Sequence, residues 1–552
     1  MNITVKQVSS LEKIRELGDI PDNYYENAVV LGGERFSYQI AVCSDICAGM
    51  EVACNSPLAE YIKIYRVDRV YMDMPNYDSA RGAVITDTPS MMPDLLTPIE
   101  NLNGFLNVCK IPECLWVQVD IPRDFKAGKY SVEIKLSGEW AGATPQPFAV
   151  SQTMNIEVLG VNLPEQELIF TQWFHTDCIA AAHNVPVYSE EHWALIDKYM
   201  KMAAELGINM LLTPVLTPAL DTAIGKRRPC VQLVGIKKDG YSYKFDFSKL
   251  SRWIELCRKN GIKYYEISHL FSQWGLKYTP NILAEENGEE KYIFGWHVDA
   301  RDESYRVFLG QFLPALVAFF KEEGIYDKCH FHLSDEPAAE HLDNYRYAYE
   351  LVRPLIGDGR IMDAISHLEV FETGCMDIPV CTTTDIEPFL AKKYDNQWAY
   401  YCCAQSSDVS NRFMAMPSFR NRIIGLQLYK YDIKGFLQWG YNFYYSRGSK
   451  YELNPYTDTS AGKAFPSGDA FSVYPGKSGP LASLRALVFR EALQDIELCR
   501  LAEKHIGRAA VIKLIEDEAG AELTFSSYPQ SGEYLLRVNA RLKELLRGKG
   551  NN

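Results

Sequence analysis

Basic residues are in deficit in this 552-residue chain: 57 Lys and Arg face 71 Asp and Glu, for a formal net charge of -14. A nucleic-acid groove or an anionic membrane surface calls for a basic face, so neither is an expected partner. Long apolar runs are missing too. No segment approaches a membrane span, and the start, Met1-Asn2-Ile3-Thr4-Val5-Lys6, lacks the basic opening and apolar core of a signal peptide. Membrane insertion is not expected. The 14 cysteines are scattered, with one adjacent pair, Cys402-Cys403, and several inside apolar runs. That usage suits reduced core thiols in a cytoplasmic protein. Cys43 and Cys47 have a spacing that suits a metal, but no second Cys/His pair at zinc-finger spacing follows. Neither a metal nor another cofactor is expected.

What is present is a globular composition, 47% hydrophobic and 23% charged, at a length that calls for two or three domains. Residues 1–162 alternate with period two in short runs, among them Phe36 to Val42, Tyr61 to Val67, Leu115 to Ile121, Gly128 to Leu136 and Met154 to Leu159. Many strands without helices between them predict a β-sandwich. From residue 163 to 482 strands and helices alternate. Eight apolar runs, beginning near Leu168, Ile208, Ile262, Cys329, Arg360, Pro379, Gln397 and Gly435, predict a (β/α)8 barrel. A helix from about Leu484 opens a C-terminal helical extension, 483–552, packed on the barrel. The fold class is thus α/β multidomain: sandwich, barrel, helices.

The chain is organised around Cys329-His330-Phe331-His332-Leu333-Ser334-Asp335-Glu336-Pro337, a buried strand that ends in two adjacent acids. A plainer reading makes Ser334 or Asp335 a helix cap, with Pro337 at the first helical position of a helix over about 338–352. The other strand ends weigh against it. The first runs into Trp173, His175 and Asp177, the third into His269 and Trp274, the seventh carries Trp398 and Tyr400, and the eighth leads to Trp439, Tyr441 and Asn442. In a (β/α)8 barrel these ends gather at one mouth.

Aromatic faces beside carboxylates and amides are what a sugar needs, for its C–H face and for its hydroxyls. Adjacent acids restrict the mechanism. A retaining glycosidase sets its two carboxylates about 5 Å apart across the scissile bond, and neighbouring residues on one backbone edge cannot straddle a ring in that way. The substrate's own 2-acetamido oxygen is then the best nucleophile, giving an oxazoline. Glu336 takes the acid/base role, its carboxyl raised by burial and a neighbouring anion, and Asp335 stays ionised to orient the acetamido N–H.

These residues resemble the family 123 glycoside hydrolases. The likeness rests on Gly128-Lys129-Tyr130, Trp173-Phe174-His175 with Asp177, Ser334-Asp335-Glu336-Pro337, Trp398 with Tyr400, and Gly435-Phe436-Leu437-Gln438-Trp439. It continues through Gly468-Asp469, Tyr474-Pro475-Gly476, Ser483, Arg485, Arg490-Glu491 and Asp495, with Ala470 where the pattern has glycine. The resemblance implies a retaining exo-acting β-N-acetylgalactosaminidase, with Asp335 orienting the acetamido group, Glu336 as acid/base, and Asp469 among the residues lining the sugar subsite. The partner it implies is a glycan or glycolipid ending in β-linked N-acetylgalactosamine.

Three other readings compete. A metal-dependent hydrolase would draw ligands from His175, Asp177, His269, His330 and His332. A non-catalytic sugar-binding protein would keep the pocket alone. An ordinary two-carboxylate glycosidase would take Glu266 or Asp363 as nucleophile.

Overall fold

The computed structural model describes residues 2–16, 20–22, 25–80, 82–140 and 146–549. Its amino-terminal part is two five-stranded sheets. One runs in the order Ile3–Ser9, Arg35–Ser44, Glu113–Asp120, Ile62–Met72, Ser90–Pro98; the other runs Asn27–Gly32, Pro147–Asn162, Gly128–Glu139, Ala48–Asn55, Phe105–Val108. Period-two alternation explains how they pack. Tyr38, Ile40, Val42, Leu115, Val117 and Val119 from one sheet bury against Met50, Val132, Ile134, Leu136, Met154 and Ile156 from the other. Cys47 and Cys109 form a disulfide. For those two the expectation of reduced thiols is corrected, and Cys47 is thereby removed as a metal-ligand partner for Cys43.

Eight parallel strands then close a barrel: β1 (Ile169–Gln172), β2 (Met210–Thr213), β3 (Tyr264–Ile267), β4 (Cys329–Phe331), β5 (Arg360–Ile365), β6 (Ile378–Thr382), β7 (Trp398–Tyr400) and β8 (Gly435–Gln438). Pairing of Ile169 with Gly435 and of Gln172 with Gln438 completes the ring. Helices Glu190–Glu205, Ser248–Lys259, Glu303–Glu322 and Leu342–Ile356 cover it outside. Their starts follow capping chemistry: the Ser189 side chain accepts from His192 N, and that of Asp302 from Ser304 N. Inside, Met210, Leu212, Met362, Val380 and Leu437 pack around Trp398. Gly435 is obligatory here, because a Cβ on it would lie 2.0 Å from the Trp398 ring.

Two features depart from the sequence reading. Pro337 does not open a helix: a short 3-10 turn, Ala339–His341, intervenes, and the helix starts at Leu342. The acids are therefore not its cap. Two hairpins outside the strand–helix alternation, Gly235–Asp239 with Ser242–Asp246 and Ile282–Glu286 with Glu289–Phe294, form a four-stranded sheet beside the barrel mouth.

The helix Leu484–Ile506 is buried along most of its length. It is the strut between the two halves. Gln494 exchanges hydrogen bonds with the Arg35 backbone at 2.8 Å, and the Arg485 guanidinium clasps Asp94 at 2.7 and 3.0 Å. Arg485 also donates to the Gly468 and Phe471 carbonyls. The loop after β8 is thus tied to the sandwich.

Candidate active site

A cavity of about 120 Å³ opens at the carboxyl ends of the strands. Trp173 and His175 reach it from β1, Leu220 and Asp221 from the loop after β2, and Trp274 from the loop after β3. Asp335 and Glu336 follow β4; Tyr400, Cys402 and Cys403 come from β7; Trp439 and Phe465 come from β8 and its loop. A larger cavity of about 1040 Å³ lies between sandwich and C-terminal helices. Its buried charged groups are engaged with one another: Arg422 with Glu491 and Asp495, Lys543 with Glu34. The smaller one holds the unspent acids.

Backbone conformation presents them. Glu336 sits at φ +46° and Trp274 at φ +52°, in the left-handed region that non-glycine residues rarely occupy. The Trp274 N–H donates to the Asp335 carbonyl at 3.2 Å, and Ser334 Oγ donates to the Ser272 carbonyl at 2.9 Å, so the β3 and β4 loops hold each other. Trp274 stays 50% exposed at the rim, unusual for so large an apolar side chain. Tyr400 Oη donates to Glu336 Oε1 at 2.6 Å. Burial first, and then the Glu336 charge, push the Asp335 carboxyl well above the usual carboxylate range. Asp335, expected from the sequence to stay ionised, is thus an acid whose charge burial disfavours.

Beneath the pair lies a second set of charges. His332 is bracketed by Glu266 Oε1 at 2.7 Å and Asp363 Oδ1 at 2.8 Å, all three fully buried. Burial opposes its charge, but the hydrogen bonds it donates to both carboxylates win and raise the imidazole to about 10. Glu266 also accepts from Thr171 Oγ1 and Trp173 Nε1, each at 2.6 Å. Asp363 accepts from Tyr345 Oη at 2.7 Å and from the Leu333 and Ser334 N–H groups. Burial pushes Asp363 up while His332, Tyr345 and Ser334 pull it back; with those donors on it, we assign it as carboxylate. Neither acid lines the cavity, so neither can serve as nucleophile for a sugar bound there.

His269 stacks on His332, centroids 4.2 Å apart, below the floor of the cavity. With Asp363 the two histidines form a cluster tight enough for a metal ion. The donor set fits poorly, because both His332 nitrogens already face carboxylates. His330 packs against Trp398 inside the barrel.

The remaining predicted residues divide by position. His175, Trp274, Tyr400 and Trp439 line the cavity with the acids. His175 is neutral: burial and then Arg228 hold it down to about 3, Arg228 Nη2 donates to its Nδ1 at 3.1 Å, and its Nε2 donates to the Trp439 carbonyl. Asp177, Asn442 and Asp469 stand one layer behind. Asp177 pairs with the buried Arg228 at 2.6 and 2.8 Å, Asn442 exchanges bonds with the His175 backbone, and Asp469 accepts from Trp439 Nε1 at 2.9 Å. Burial raises Asp469 to about 7. Tyr441 turns away to the Tyr199 carbonyl, and the Trp398 indole donates to Asn396, before β7, at the opposite end of the strand from the mouth.

Sequence reasoning missed Arg228, Asp221 and the position of the cysteine pair. Asp221 is a third carboxylate on the cavity wall, at φ +39° and bonded by the Gly448 N–H at 3.0 Å.

A family model described as the glycoside hydrolase 123 catalytic domain matches residues 173–502. A search of curated proteins found no match. Among solved structures, a family 123 glycoside hydrolase from Clostridium perfringens, described in work on glycolipid glycan hydrolysis, superposes with a TM-score of 0.74. It is 16% identical, over 99% of this chain and 97% of its own. A GH2 β-galacturonidase from Eisenbergiella tayi, bound to galacturonate, reaches only 0.32 at 8% identity, over 83% and 89% of the two chains.

Proposed function

The chain belongs to glycoside hydrolase family 123, and from that premise we propose that it is a retaining exo-glycosidase releasing terminal β-linked N-acetylgalactosamine, with the substrate's acetamido oxygen as nucleophile. That it is a glycoside hydrolase acting on a carbohydrate follows from the family. The finer reading is carried by one observation. Two adjacent acids line an aromatic cavity, while Glu266 and Asp363 are consumed by His332 below it.

Proton and bond accounting runs through the pair. In the free site burial and the neighbouring Glu336 disfavour charge on Asp335. An acetamido N–H placed on Asp335 favours the carboxylate there, and Glu336 becomes the proton carrier. Glu336 protonates the leaving oxygen as the acetamido oxygen bonds to the anomeric carbon. Asp335 stabilises the positive charge that spreads onto the acetamido nitrogen. Glu336 then takes a proton from water, which attacks the same carbon and reopens the oxazoline with net retention. His175, Trp274, Tyr400 and Trp439 would contact the sugar; His269, Asp177, Tyr441, Asn442, Asp469 and Trp398 would support them from behind.

The test is a panel of aryl β-glycosides that differ only at C2 and C4, run on wild type, Asp335→Ala and Glu336→Ala. Loss of turnover without the acetamido group, and retention of anomeric configuration by NMR, are expected. Equal turnover without the acetamido group would overturn the proposal and move the nucleophile to Asp221. Glycolipid glycans are the natural substrates to try first. A cytoplasmic location also remains a proposal. No helix among the described residues is long and apolar enough to cross a membrane, but the Cys47–Cys109 disulfide is a bond of oxidising compartments. Fractionation with a thiol titration of Cys47 decides between them.

A further inference from the structure

The proposed proton transfers leave unused two nucleophilic side chains on the cavity wall. Cys402 and Cys403 both line the cavity, both are free, and among the described free cysteines they are the only sequence neighbours. Their thiols hydrogen-bond each other. Cys402 Sγ donates to Gln405 Oε1 at 3.3 Å, and the Gln405 N–H returns to the Cys402 carbonyl at 3.2 Å, so a turn fixes the pair. The Tyr77 side chain lies beside Cys403, its hydroxyl donating to the Ala464 carbonyl at 3.1 Å. Both residues are partly exposed. The other free cysteines lie singly along the chain, most of them in the core.

We propose that Cys402 and Cys403 form a chelating dithiol site for a thiophilic trivalent arsenic centre, and that filling it closes the cavity. With phenylarsine oxide the step balances without any oxidant. Two S–H bonds break, two As–S bonds form, and the oxide oxygen leaves as water carrying both protons. Arsenic stays trivalent throughout. Geometry favours the second bond: once one sulfur is attached, the other is held beside it at a high effective concentration. A single thiol lacks this advantage. The hydrogen bond to Cys403 and burial push the Cys402 thiol well up, and a protonated thiol is slow toward alkylating agents, which need the thiolate. The pair should thus be sluggish with a monofunctional reagent and fast with one that takes two sulfurs. A phenylarsenic group on this pair would enter the cavity that Asp335 and Glu336 also line, so it and a sugar compete for the same space.

The experiment treats the full chain with phenylarsine oxide and reads intact mass, peptide map and residual hydrolysis. One phenylarsenic adduct per chain is expected on the peptide holding residues 402 and 403. Inhibition should be reversed by 2,3-dimercaptopropanol but not by a monothiol. Cys402→Ser and Cys403→Ser, each compared with its own untreated activity, should need about tenfold more reagent. An adduct mapped elsewhere, or reversal by a monothiol, overturns the site. If the serine variants fail to fold, the peptide map of the wild type still decides. Free N-acetylgalactosamine should slow adduct formation. Adduct at 402 and 403 without such protection would keep the dithiol site and count against the sugar reading of the cavity.

Discussion

Two carboxylate pairs sit one layer apart in the same barrel, and chemistry separates them. Glu266 and Asp363, on β3 and β5, are fully buried, share a protonated histidine and accept further bonds from Thr171, Trp173 and Tyr345. Asp335 and Glu336 are partly exposed and have few donors; Tyr400 supplies one to Glu336. The same functional group is structural where its lone pairs are satisfied and reactive where burial is left uncompensated. The lower pair serves the upper. Asp363 holds the N–H groups of Leu333 and Ser334, the two residues before Asp335, and Glu266 fixes the Trp173 indole on the cavity wall.

The largest effect should separate the pairs by activity. Glu336→Gln should cut kcat by about 10³-fold or more on substrates with a poor leaving group, with little change in unfolding free energy. An activated aryl leaving group, which needs less protonation, should suffer less. If Glu336→Gln costs less than tenfold on both, the upper pair is not the catalytic one.

Stability should show the reverse. His332→Gln strands two buried carboxylates and should cost about 3–5 kcal/mol in urea unfolding. The sign of its pH dependence is fixed by a folded value raised from 6.5 to about 10. The stabilisation is complete below pH 6.5, falls as pH rises and is lost above about 10. The gap between wild type and variant should close across that window. A gap that widens instead would mean His332 is neutral.

Asp335→Asn should be stabilising, by about 0.5–2 kcal/mol at pH 8, while abolishing turnover. The folded Asp335 value is raised, so its penalty is absent below the unfolded value of 3.8 and grows as pH climbs through the folded one. Equal melting temperatures for wild type and variant at both pH 3.5 and pH 8 would show that Asp335 stores no such strain.

What was legible in the sequence follows from the range of each interaction. Strand period, the run from Cys329 to Pro337 and the aromatic strand ends are local patterns, and they gave the sandwich, the eight barrel strands and the acid pair. The hairpin Ile282–Glu286 with Glu289–Phe294 was not read, although its Asn287-Gly288 turn, at φ +57° and +81°, is a standard two-residue signal. Arg228 and Asp221 lie in a loop without periodicity, and their partners Asp177 and Gly448 are about 50 and 230 residues away. His332 looked like a candidate metal ligand because nothing local reveals that β3 and β5 each aim a carboxylate at it. The left-handed backbone at Glu336 is equally invisible, being imposed by neighbouring loops on a residue that does not favour it.

The smallest effect concerns Asp469, which belongs to neither pair. Raised by burial to about 7, it accepts from Trp439 Nε1 at 2.9 Å and Gln438 Nε2 at 3.2 Å. Below pH 7 it is a neutral acid, close to asparagine in shape and bonding, so Asp469→Asn should match wild type there. Above pH 7 wild type gains a carboxylate, whose bond to the indole is stronger than a neutral one by about 1 kcal/mol. Trp439 should then be better fixed, and the variant should show KM about three- to fivefold higher at pH 8.5 with kcat unchanged. A KM difference already present at pH 6 would mean that Asp469 is ionised throughout, and its place would be with the satisfied acids of the barrel floor.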